Sequence, residues 1–92
     1  MGLLIHRNPL TTRRVSLRWL VKHHETITGF TALSMGERVA LVAHGHCGVE
    51  FVCTFGSLQA LLLWLSRPSF EGLKVTVIRD GREDTSTTLR AA

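Results

Sequence analysis

His44, His46 and Cys47 are the residues of this chain with the types and spacing for chemistry. On a continuing strand, His44 and His46 project to one side, the geometry that lets two imidazoles share a zinc ion. Gly45 and Gly48 instead predict a turn between two strands, Cys47 points elsewhere, and no fourth ligand stands at metal-like spacing, so a solvated hairpin tip is the plainer expectation. Cys47, between His46 and Gly48, has the neighbours of an activated thiolate, because an adjacent base lowers a thiol's pKa. No Asp or Asn is placed to orient a histidine, so the residues point to no catalytic group, bound metal or cofactor. Gly45-x-x-Gly48 joins strands and opens no helix, which also excludes a phosphate loop.

Charge is the second resource. The net charge is +4, and residues 1–46 carry all of it: Arg7, Arg13, Arg14, Arg18, Lys22 and Arg38 stand against Glu25 and Glu37, while the remainder is balanced. The five histidines (His6, His23, His24, His44, His46) lie in the same half, so acidification makes it more positive still. A polyanion or an acidic protein face is the natural partner. Arg13, Arg14, Arg18 and Lys22 are the candidate electrostatic residues. If residues 10–24 form a strand, Arg14, Arg18 and Lys22 line the outer face of a sheet; if they form a helix, the same three stand at i, i+4 and i+8 on one side, suited to a nucleic-acid backbone. Trp19, Phe51 and Phe55 point inward on the strand reading, so no outward aromatic platform is available to stack bases.

The elements that must position these groups are organised around Val49 to Leu65. Val49, Phe51, Cys53 and Phe55 alternate with Glu50, Val52 and Thr54, which predicts a strand with its odd-numbered face buried. Ser57 then stands where a helix N-cap belongs, and Pro68 closes the segment. Leu58, Leu61, Leu62 and Leu65 fall on one helical stripe that predicts contact with a sheet. Ala60, Leu63 and Trp64 point away from it, leaving a second apolar side where a surface helix carries charge. These three are the candidate partner-binding anchors.

Before that stretch, Leu3 to His6 reads as a short edge strand and Arg7-Asn8-Pro9 as a turn. Val15, Leu17, Trp19 and Val21 alternate with polar residues and predict a strand, broken only by Leu20. The helical alternative starts at Asn8 and Pro9 and places Leu10, Leu17, Leu20, Val21 and His24 on a stripe. The strand is preferred, with Thr26 to Thr31 as its hairpin partner. Ser34 to Glu37 reads as a turn, and Arg38 to Ala43 as a strand. After the helix, Leu73, Val75 and Val77 predict another strand, Asp80-Gly81 a hairpin, and Thr85 to Leu89 a polar arm, with residues 90–92 fraying. The expected fold class is α+β: an antiparallel sheet, a meander plus a C-terminal hairpin, with one central helix packed on one face.

Ninety-two residues suit a single domain, 1–92, with no internal boundary. A hydrophobic content of 45% argues against a disordered chain. The longest apolar run, Ala60 to Leu65, is far short of the roughly 20 residues that span a bilayer, so no membrane partner is expected. Met1 to Ile5 is too short for a signal peptide, and Cys53 faces the core, so the expected compartment is a reducing cytosol.

The run Phe55-Gly56-Ser57-x-x-x-Leu61-x-x-Trp64-Leu65, followed by Gly72-Leu73, resembles a stretch of the small phage-encoded anti-CRISPR proteins. The resemblance covers about a fifth of the chain. It implies a compact, non-enzymatic inhibitor from a phage or mobile element that docks on a host nucleoprotein machine such as a CRISPR surveillance complex, in the host cytosol. Together with the residues above, it gives the leading expectation of a binding protein whose partner is a protein, a nucleoprotein complex or a second copy of the chain. The rival expectation is a basic nucleic-acid-binding transcriptional regulator that contacts nucleic acid through the N-terminal half.

Overall fold

A computed structural model describes residues 12–90. The edge strand expected at residues 3–6, the turn at 7–9, the Asn8 cap and the fraying of residues 91–92 lie outside them. In chain order the elements are β1 (Thr12–Arg14), α1 (Leu17–Lys22), β2 (Ile27–Met35), β3 (Arg38–Gly45), β4 (Glu50–Phe55), α2 (Leu58–Leu65), β5 (Lys74–Arg79) and β6 (Arg82–Thr88), with 3-10 turns at His24–Thr26, His46–Gly48 and Pro68–Phe70.

The strands form one sheet in the order β1-β4-β3-β2-β5-β6. β2 with β3, β3 with β4 and β5 with β6 are antiparallel, whereas β1 with β4 and β2 with β5 are parallel. The expectation of a wholly antiparallel sheet with one helix is therefore corrected to a mixed, mostly antiparallel α+β sheet with two helices. The reason lies in the connection after β4. α2 carries the chain back over β4, β3 and β2, and a crossover of that kind delivers the next strand parallel to its new neighbour.

The strand expected over Val15 to Val21 is also corrected. The backbone is extended only to Arg14 and then enters α1, where the Ser16 hydroxyl accepts a 3.1 Å hydrogen bond from the Trp19 N–H. Leu20, which broke the two-residue alternation, is completely buried, and Leu17, Trp19 and Val21 pack around it against the core. A strand would have turned Leu20 to the solvent side, while one helical turn brings it to the same side as its apolar neighbours. β2 consequently takes β3 and β5 as its partners, not the segment before it. It runs on through Ser34 and Met35, so the turn to β3 is the shorter Gly36-Glu37.

The central stretch folds as the alternation predicts. Phe51 and Cys53 are buried, and Val49 and Phe55 pack at the margin of the core. Ser57 caps α2 by accepting from the Ala60 N–H at 3.1 Å. Within α2 the stripe is rotated from its expected position: Leu61 and Leu65 are buried, but Leu62 is 37% exposed and Trp64 packs against the core. An indole hides more apolar area than a leucine side chain, so the helix settles with the ring inward. At the far hairpin Asp80 and Gly81 both have positive φ, 51° and 84°, as a tight two-residue turn between right-twisted strands requires.

Candidate functional site

Both helices lie on one side of the sheet, over different ends of β4. The Trp19 ring of α1 sits 4.6 Å from Phe51, and the Trp64 ring of α2 sits 5.8 Å from Phe55. Trp64 also packs 5.2 Å from Phe70, and the Arg67 guanidinium lies 4.9 Å from its ring centre. Arg67 Nε donates to the Trp64 carbonyl at 3.0 Å, which holds the cation over the indole. Trp64 is therefore half-buried among its own chain, not directed wholly outward as expected.

The outward side of α2 is formed instead by Ala60, Leu62 and Leu63. Ala60 is exposed, and Leu63 is 74% exposed. No residue from Leu58 to Leu65 carries a charge, and the exposed Gln59 is the one polar side chain beside the two leucines, so little on the helix itself offsets the cost of wetting that side. Of the three expected anchors, Ala60 and Leu63 occupy this surface and Trp64 supports it from below. Leu62, read from its spacing as core, belongs to the surface.

The four candidate cations neither line up on one strand nor follow one another along one helix. Arg13 pairs in register with Phe51 and so projects to the helix side, whereas Arg14 pairs with Val52 on the opposite face. Arg18 and Lys22 follow on α1, one turn apart, and all four side chains are exposed. Among the described residues none of the four enters an ion pair. The cations gather around the β1 edge, because a short strand is followed after two residues by a helix that folds back over β4. The Val15 carbonyl at that junction accepts from the buried Cys53 thiol at 3.0 Å, and burial raises the pKa of that thiol.

The face of the sheet without helices is ordered in rows across the strands. Ile78, Leu33, Ala40 and Thr54 form one row; Thr76, Thr31, Val42, Val52 and Arg14 the next; Lys74, Gly29, His44, Glu50 and Thr12 the third. The first is largely apolar and the third polar. His44 Nδ1 stands 3.4 Å from the Glu50 carboxylate, and His44 Nε2 shares a 2.7 Å hydrogen bond with the Thr31 hydroxyl. The sequence offered no Asp or Asn to orient a histidine; the sheet register supplies Glu50, six residues further on. Hydroxyl, imidazole and carboxylate occur in the order used for nucleophilic catalysis, on residues paired in the β-ladder of β2, β3 and β4.

The remaining candidates separate. His46 and Cys47 sit exposed in the 3-10 turn after β3, Cys47 with φ of 59°, while His44 lies within the sheet. Among the described residues no three His, Cys, Asp or Glu side chains converge as metal ligands. No helix among them is long and apolar enough to cross a membrane. In comparison with known proteins, no family model, curated protein or solved structure matches the chain.

Proposed function

We propose that this is a small, non-enzymatic binding protein that docks on a protein or nucleoprotein partner through the outward side of α2. The observation that carries the proposal is the pairing of two exposed leucines, Leu62 and Leu63, with a capped helix that bears no charge. Exposed apolar side chains held on a rigid element are what an interface core uses, and the half-buried indole beneath them fixes their position. Arg13, Arg14, Arg18 and Lys22 lie outside that patch and act on approach: unpaired surface cations speed encounter with an anionic partner more than they tighten the final complex. The resemblance to anti-CRISPR proteins supports a phage-encoded inhibitor, with a complex such as a CRISPR surveillance complex in the host cytosol as its target.

A second reading rests on those same cations. Four exposed basic groups without ion pairs among the described residues suit the phosphates of a nucleic acid, as in a basic transcriptional regulator. Pull-down from host lysate with wild type, Leu63→Glu and Arg14→Glu/Arg18→Glu, with and without nuclease, separates the two readings. Docking through α2 predicts a captured protein that survives nuclease and is lost with Leu63→Glu. Capture lost only with nuclease or with the arginine variant would replace this proposal by nucleic-acid binding.

A further inference from the structure

On the face of the sheet without helices, the polar row has a gap in it. Gly29 pairs in register with His44 on one side and with Lys74 on the other, so the middle position of the three carries no side chain. Two interstrand spacings put the flanking Cα atoms about 10 Å apart, and the surface between them is a shallow depression of about 290 Å³, open to solvent. Thr31 and Thr76, neighbours in the next row, line it together with Thr28. The bulge in β2 falls at Thr28, whose hydroxyl donates to the His44 carbonyl at 3.1 Å, while Gly29 and Thr31 keep their register. Lys74 is exposed and enters no ion pair among the described residues.

His44 gives the depression two states. A carboxylate only accepts, so the Nδ1 atom 3.4 Å from Glu50 carries the proton, and in the neutral ring Nε2 accepts from the Thr31 hydroxyl at 2.7 Å. The Thr31 proton is then taken. When His44 is protonated both ring nitrogens donate, Nε2 to the Thr31 oxygen, and the Thr31 O–H is released to another acceptor. The groups around the imidazole decide where that acceptor sits. On the β4 side stands Glu50, which balances the charge of the ring. On β2 stand Thr28, Gly29 and Thr31, none of them titratable, and beyond Gly29 stands Lys74 of β5. The released hydroxyl and the ammonium therefore border the same gap, with Glu50 one strand further off behind the ring.

We infer that this depression binds a small tetrahedral oxyanion of the sulfate or phosphate class, held by Lys74 and the hydroxyls of Thr31 and Thr76, and that binding takes up a proton on His44. An ammonium and hydroxyl donors around an open gap suit such an ion, because hydrogen bonds to a charged acceptor are the strong ones. The site lies on the opposite face of the sheet from α2 and does not depend on docking there.

Sulfate is the probe, because it keeps one charge across the range in which histidine titrates. Titration of the full chain with sulfate at constant ionic strength, followed by amide and imidazole NMR, is expected to give saturable shifts at Thr31, His44, Lys74 and Thr76. Affinity is expected to be about tenfold higher at about pH 5.5 than at about pH 8. By linkage, added sulfate increases the protonated fraction of His44 at a fixed pH and leaves His23, His24 and His46 unchanged. Lys74→Gln, at an exposed position, is expected to weaken binding about tenfold at both pH values, and His44→Gln to leave a single affinity at both. The wild-type imidazole signals keep the test open if His44→Gln fails to fold. Phenyl phosphate separates two sources of the ion: shifts at the same residues extend the site to phosphomonoesters, and none restricts it to the free ion. Absence of saturable shifts at these residues up to about 100 mM sulfate at the lower pH would overturn the inference. So would binding untouched by Lys74→Gln, or a pH dependence that survives in His44→Gln.

Discussion

α1 and α2 lie on the same side of one sheet, are capped by the same device and carry similar inward faces, yet they meet solvent in opposite ways. α1 presents Arg18 and Lys22, as an amphipathic surface helix does, and buries Leu20 completely. α2 also buries two leucines, but presents Ala60, Leu62 and Leu63. Because sheet, cap and core are shared, the difference is confined to the outward residues, where folding makes little demand. Folding explains the inner stripe of both helices and the outer stripe of α1; the outer stripe of α2 asks for a second reason, and the proposed docking would supply one.

Substitutions can break or sharpen this contrast. The largest effects belong to the inner stripes: Leu20→Ala and Leu61→Ala should each cost about 2–5 kcal/mol in denaturant unfolding. If Leu63→Ala cost as much, the outer side of α2 would be core and the contrast would vanish. Trp64→Ala should fall between, at about 2 kcal/mol, because the half-buried ring contacts Phe55 and Phe70 while one edge stays wet. The two caps should be equal: Ser16→Ala and Ser57→Ala should each lose about 1 kcal/mol, measured by thermal unfolding. A much larger loss at Ser57 would mean that α2 depends on its cap and not on its packing. The smallest effects should come from Leu63→Ser and from Arg18→Glu with Lys22→Glu, each within about 0.5 kcal/mol of wild type. Yet Leu63→Ser should abolish partner capture, whereas the charge reversal should mainly slow association and change its dependence on salt, as read by surface-immobilised binding kinetics.

Much of the second half of the chain was legible beforehand because its signals are local. Alternation from Val49 to Phe55, a serine followed by an apolar helix, and Asp80-Gly81 between polar and β-branched runs each satisfy backbone geometry within a few residues. The first half misled because Val15 to Val21 satisfies two periods at once. The deciding residue was Leu20, an interruption on one reading and the centre of the core on the other. The same limit applies to the Thr31, His44 and Glu50 chain, whose members are separated by 13 and 6 positions and meet only through strand register. It applies as well to Leu62 and Trp64, since eight residues of almost unbroken hydrophobicity leave the rotation of a helix undetermined.

From its residues alone this protein was bound to have a strand, a capped helix and a hairpin in fixed succession, and an excess of positive charge before residue 47, since turns, caps and alternation act over a few bonds. Tertiary structure alone decided that β5 lies parallel to β2 and that the indole of Trp64 and not the side chain of Leu62 is turned inward. These are choices between arrangements of nearly equal local energy, and only the competition of distant surfaces for one core separates them.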